Sequence, residues 1–140
     1  MKTVDELSSA TPAPVAATTS VLVVDDESAV RRFAVRVLER EGYIVAEARD
    51  GAEALEMIKS QGASFAVVVS DIVMPKLNGV ELVQALSVLY PDLPVVLMSG
   101  YAAAALAELG IAPPCSILPK PFPSERLVEE VRRCTRKVSG

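Results

Sequence analysis

The sequence predicts a three-layer, doubly wound α/β domain in which five strand–helix units build a parallel sheet. Short apolar runs at Val21–Val24, Phe65–Ser70 and Val95–Met98 alternate with stretches whose apolar residues recur at helical spacing. That alternation is the pattern of right-handed β/α crossovers. The central run places Val67, Val68 and Val69 in succession, as a strand covered by helices on both faces requires. The chain has 140 residues and 51% apolar content, the size and composition of one domain with a substantial core.

Residues 1–19 contain Pro12, Pro14 and scattered Ala, Thr and Ser without apolar periodicity, and read as a flexible leader to a domain over 20–140. Val21–Val24 is the first strand. Val30, Phe33, Ala34, Val37 and Leu38 then mark the inner face of a helix that carries Arg31, Arg32, Arg36, Glu39 and Arg40 largely on its outer face and stops at Gly42. Tyr43–Ala48 alternates as a second strand, and Asp50 caps a helix with Ala54, Leu55 and Ile58 inward, ending near Gly62. The central strand delivers Asp71 into a turn closed by Pro75 and Asn78-Gly79. Val80, Val83, Leu86 and Leu89 define the third helix, halted by Pro91. A fourth strand ends at Ser99-Gly100, an alanine-rich helix covers Ala102–Leu109, and Ser116–Leu118 is a fifth strand entering Pro119-Lys120-Pro121. Leu127, Val128, Val131 and Val138 mark the last helix, with Arg132, Arg133, Arg136 and Lys137 towards its carboxyl end.

Composition excludes several functions. A net charge of -4, with no basic stripe before the last helix, disfavours nucleic-acid binding. Zero histidines remove Ser-His-Asp and Cys-His catalysis, most zinc sites and any role as a phosphohistidine donor. No apolar run approaches the roughly 18 residues of a membrane span, and the N-terminus has no secretory pattern, so the expected location is cytoplasmic. Cys115 and Cys134 show no metal or redox spacing and are expected to be reduced packing residues.

Asp25, Asp26, Asp71, Ser99 and Lys120 all follow predicted strands directly, so a parallel sheet brings them to one rim, where ligands bind in open α/β folds. Two unit charges about 4 Å apart repel by roughly 4 kcal/mol at an effective dielectric near 20. Three carboxylates there call for a cation, and Mg2+ suits oxygen ligands combined with a phosphate. With Lys120 and Ser99 aimed at the same point, the set becomes a clamp for phosphoryl transfer to a carboxylate. Each residue alone also has an ordinary role. Asp25 and Asp26 could cap a helix, Asp71 could open a turn, Ser99 could be a loop residue, and Lys120 could be a solvated charge.

Taken in order, Asp25-Asp26, Asp71 with Met74-Pro75 and Asn78-Gly79, Ser99-Gly100 and Lys120-Pro121-Phe122 resemble the receiver domain of two-component response regulators, of the single-domain chemotaxis type. The resemblance covers Val21 to about Val138. It implies a flavodoxin-like (βα)5 fold with strand order 2-1-3-4-5, and a phosphorylatable switch rather than an enzyme. Asp71 is implied to accept the phosphoryl group from a histidine kinase or a histidine phosphotransfer protein. Asp26, Asp71 and the backbone carbonyl of Val73 are implied to ligate Mg2+, with Asp25 acting through a water. Ser99 and Lys120 would recognise the phosphoryl group, and Lys120-Pro121 is often cis in the family. The implied face for a downstream protein comprises the fourth helix, fifth strand and fifth helix.

Two departures from the family pattern bear on signalling. The aromatic expected three residues before the lysine is Ile117, which leaves Tyr101 to take over part of the switch or to be a plain loop aromatic. Val73 and Tyr101, at the positions that tune lifetime, offer no carboxylate or amide to orient water, so self-dephosphorylation is expected to be slow. Other readings stay open: a receiver cut from a hybrid kinase or larger regulator, serving as a relay intermediate or phosphate sink; a haloacid-dehalogenase-type phosphatase; and an FMN carrier. The phosphatase wants Asp-x-Asp where this chain has adjacent acids, and Asp25-Asp26-Glu27 would repel an FMN phosphate.

Overall fold

Side chains alternate across a strand, so an unbroken apolar strand feeds two cores at once. The computed structural model, which describes residues 19–61, 64–99 and 115–139, is built on this rule. Its strands are β1 (Ser20–Val24), β2 (Ile44–Ala48), β3 (Phe65–Asp71), β4 (Val95–Ser99) and β5 (Ser116–Pro119). All neighbours are parallel, in the order β2-β1-β3-β4-β5. The described helices are α1 (Ser28–Arg40), α2 (Gly51–Gln61), α3 (Gly79–Leu89) and α4 (Ser124–Ser139). Val21, Val23, Val67, Val69, Val96 and Met98 form one core with Ala34, Leu38, Leu127 and Val131 of α1 and α4. Leu22, Val24, Val68 and Leu97 form the other with Ala54, Ile58, Leu82 and Leu86 of α2 and α3. The expected layers and strand order are therefore present. Residues 1–18 of the leader and the helix expected at Ala102–Leu109 lie outside the described residues.

Helix starts follow local chemistry. Asp50 accepts the Glu53 N–H at 2.8 Å while Glu53 accepts the Arg49 N–H at 2.7 Å. At α3, Asn78 and Glu81 exchange the same kind of bonds, both at 2.9 Å, as a capping box. Gly42 ends the α1 turn at φ 99°, a conformation glycine reaches without steric cost.

The structure corrects expectations for two apolar residues and for the cysteines. Phe33 is 43% exposed; it lies beside the buried stripe of α1 and meets Phe122, with ring centroids 6.1 Å apart. Leu89 is half exposed, and Leu82 joins Val83 and Leu86 in the α3 core. The i, i+3, i+4, i+7 stripe from Gly79 has run its course before Leu89. Finally, Cys115 and Cys134 form a disulfide, with Cα atoms 6.0 Å apart. They stand 19 positions apart, across one strand-and-helix unit in which the helix runs back over its strand and returns Cys134 to the start of β5.

The same junction carries an ionic contact. The Ser116 hydroxyl donates to Glu130, which also pairs with Arg133 at 2.9 Å. The Ser116 bond, against the opposing effect of burial and with help from Arg133, holds the Glu130 carboxyl below its ordinary value. A folded-state value below the unfolded one stabilises above the unfolded value, and that contribution is lost as pH falls through the folded one. Glu130→Gln should therefore lower the urea midpoint at neutral pH, with the gap closing in acid below the ordinary glutamate range. A gap independent of pH would contradict this assignment.

Candidate functional site

The sheet register alone gathers the site. Val24 pairs with Ser70, so Asp25, the next residue after β1, lies beside Asp71, the last residue of β3. Asp71 pairs with Met98, which places Ser99 at the adjacent end of β4, where it pairs with Pro119 just before Lys120. The Lys120 N–H donates to the Ser99 carbonyl at 2.8 Å. Lys120-Pro121 is cis.

Ligand oxygens of Asp25, Asp26 and Asp71 lie within 4.8 Å of one another. Lys120 Nζ donates to Asp71 Oδ1 at 3.1 Å and stands 3.6 Å from Asp25 Oδ2. Asp71 Oδ1 also accepts the Ile72 N–H at 2.9 Å. Asp25 is fully buried, and its Oδ1 accepts the Glu27 N–H at 2.8 Å. Its Oδ2 is buried without a hydrogen-bond partner, since 3.6 Å from Lys120 is ion-pair range rather than a hydrogen bond. Asp26 is exposed and Ser99 is buried. Burial pushes the Asp25 carboxyl above its ordinary value; the Glu27 N–H opposes this, the Asp71 charge adds to it, Lys120 opposes it and Asp26 adds again. For Lys120, burial pulls the ammonium down, but the Asp71 hydrogen bond and the Asp25 and Asp71 charges outweigh it, leaving the group above its ordinary value.

The turn after Asp71 is tied at both ends. Gly79 N–H donates to the Ile72 carbonyl at 2.8 Å, and Gly51 N–H to the Leu77 carbonyl at 2.9 Å. A Cβ on Gly79 would lie 2.4 Å from the Asp71 carbonyl oxygen, so the close approach of α3 to the Asp71 backbone requires glycine. Sequence reasoning took Asn78-Gly79 as a turn signal and missed this second role. It also put Arg31 on the outer face of α1, whereas that side chain is only 12% exposed and donates to the Asp25 carbonyl at 2.8 Å. Val73 is 61% exposed, Ile117 packs against the α2–α3 core, and Tyr101 lies outside the described residues.

The donor set suits a hard divalent cation. It is all oxygen, over-supplied with negative charge, and includes a buried carboxylate oxygen that no hydrogen bond satisfies. Lys120 offsets one of three negative charges, and two remain for an ion such as Mg2+.

Residues 21–132 match the model of the response regulator receiver domain. The chain belongs to the response regulator receiver family. It is 36% identical over 114 residues to the response regulator receiver protein CpdR of Brucella abortus, covering 81% of this chain and 93% of CpdR. It is 41% identical over 119 residues to the sensor kinase CckA of the same organism, covering 84% of this chain but only 13% of CckA. Among relatives such as the response regulator MprA of Mycobacterium ulcerans, the receiver spans about half the length. A receiver domain protein from Clostridium thermocellum superposes with a TM-score of 0.77 at 26% identity, over 86% of this chain and 97% of that one. The receiver domain of the hybrid histidine kinase CckA superposes at 0.69 and 34% identity, over 83% and 98%. This receiver is thus a phosphorylatable signalling switch. No helix among the described residues is long and apolar enough to cross a membrane.

The acids of the receiver differ in what their charges cost. At 4.8 Å, two carboxylates repel by roughly 3.5 kcal/mol at an effective dielectric of about 20. Asp26 bears this with no ion pair among the described residues, whereas Asp71 is partly compensated by Lys120. In chelator, Asp26→Asn should raise the thermal midpoint above wild type, and Asp71→Asn should raise it less, because that change also breaks the Lys120 pair. An Asp26→Asn midpoint below wild type in chelator would contradict the crowding.

Proposed function

We propose that this receiver accepts a phosphoryl group from a phosphohistidine protein on Asp71, and that the change alters its affinity for a protein partner. The observation that carries the reading is the Lys120–Asp71 contact at 3.1 Å inside the acidic cluster. Among the described residues, both contacts to the Asp71 carboxylate fall on Oδ1, which leaves Oδ2 as the attacking oxygen. Its attack forms an O–P bond as the P–N bond of the donor breaks, and the electron pair leaves on the imidazole, which takes up a proton. Lys120 holds the acceptor and offsets charge on the incoming group, and Ser99, at the neighbouring strand end, would hydrogen-bond one of its oxygens. Asp26, Asp71 and the Val73 carbonyl would hold Mg2+, with Asp25 bonding through a water. When bound, the ion neutralises charge on the transferring group.

A protein donor is supported by the surface beside the site. Ala29, Val30, Phe33, Pro121 and Phe122 line an apolar groove that reaches Lys120, and Arg32 and Arg36 are exposed along the same helix. The downstream face is assigned to β5, α4 and the preceding segment that lies outside the described residues. The working location is the cytoplasm. Exposed Val73 offers an attacking water no acid or amide, which supports slow self-dephosphorylation, and the receiver catalyses only its own phosphorylation and dephosphorylation. The phosphatase and FMN readings gain no support, because the acids after β1 are adjacent and one of them is buried.

Incubation with acetyl phosphate and Mg2+, followed by intact mass, tests the assignment. Wild type should gain the mass of one phosphoryl group, and Asp71→Ala should gain none. The same gain on Asp71→Ala would place the acceptor elsewhere.

A further inference from the structure

Asp26 is the proposed metal ligand with the least visible support. It is exposed, and among the described residues its carboxylate has no hydrogen bond or ion pair that would orient it. Its direction therefore depends on its backbone. The Asp25 carbonyl and the Asp26 N–H belong to one rigid peptide plane, so whatever holds that carbonyl sets where the Asp26 side chain starts.

Arg31 holds it. From the first turn of α1, Nη1 donates to the Asp25 carbonyl at 2.8 Å, and Nε donates to Glu47 Oε1 on β2 at 2.9 Å. The Asp25 N–H donates to the carbonyl of Ala48, the residue after Glu47, at 3.1 Å. The backbone of Asp25 is thus anchored to β2 on both sides, directly on the amide side and through the Arg31 fork on the carbonyl side. The charge of Arg31 is committed to Glu47, and its other contact is to a neutral carbonyl, so its part is directional rather than neutralising. As a purely stabilising pair it would do little, because the Glu47 side chain is 44% exposed and such pairs contribute weakly.

We infer that Arg31, clamped by Glu47, is a positioning residue that orients the Asp25–Asp26 peptide for Mg2+. The inference rests on the proposed metal role of Asp26. Magnesium requires near-octahedral ligands at about 2.0–2.1 Å, so a small rotation of that peptide weakens the site without abolishing it. Lysine cannot reproduce the fork that spans a carbonyl and a carboxylate, so charge retention alone should not rescue function.

Mg2+ titration by calorimetry of wild type, Arg31→Lys, Arg31→Gln and Glu47→Gln tests this. Both Arg31 variants should bind Mg2+ about 10-fold more weakly, in the range seen when partners of metal ligands are removed, and Glu47→Gln should show a smaller loss. In acetyl phosphate assays, the Mg2+ concentration giving half the maximal rate should rise while the rate at saturating Mg2+ is retained. Simple destabilisation would instead lower the saturating rate in proportion to the folded fraction and leave the half-saturation point in place. Wild-type binding with unchanged affinity in both Arg31 variants would overturn the role of Arg31 and leave the metal site standing. Failure of wild type to bind Mg2+ would overturn both.

Discussion

Mutual repulsion among Asp25, Asp26 and Asp71 is the constraint on which the rest of the structure depends. Their oxygens lie within 4.8 Å, with one carboxylate fully buried and, among the described residues, one cation, Lys120, against them. The folded chain holds an arrangement that free side chains would avoid. Such a site is incompletely compensated among the described residues, and its excess negative charge suits a divalent cation. Burial, with the Asp71 charge adding to it, raises the Asp25 carboxyl, and the Asp71 hydrogen bond with the Asp25 and Asp71 charges raises the Lys120 ammonium against its own burial.

The scaffold resists the repulsion through backbone contacts rather than side-chain packing alone. β1 and β3 lie at the centre of the sheet, where both neighbours hold each strand. Beyond their ends, the Gly79 and Gly51 N–H groups tie the turn after Asp71, the Ser99 carbonyl ties Lys120, and Ala48 with Arg31 ties Asp25. These contacts lie on elements whose other faces are buried in the two cores. Apolar burial on both sides of the sheet therefore supports the charge held at its edge.

Most of this architecture was legible in the sequence, because strand burial and helix periodicity are local patterns. Val67-Val68-Val69 announced a doubly covered strand, and the placement of acids, serine and lysine directly after strands announced a shared rim. Strand order came from family resemblance, since periodicity carries no information on which strands are neighbours. Features that depend on tertiary approach were not readable. The Cys115–Cys134 bond appears only when the last helix folds back over β5. Gly79 resembles any turn glycine until α3 meets the Asp71 backbone, and Arg31 sits in a charged run that looks solvated until β2 supplies Glu47. Phe33 fits the apolar spacing of α1 but falls outside its buried stripe.

A crystal structure grown with Mg2+ and beryllofluoride, a mimic of a bound phosphoryl group, tests the central claim most directly. It should show the beryllium on an Asp71 carboxylate oxygen, one magnesium contacted by Asp26 and Asp71, and the Lys120 ammonium against a fluorine. A magnesium ion bound away from these acids, or beryllofluoride on another residue, would contradict the role assigned to the cluster.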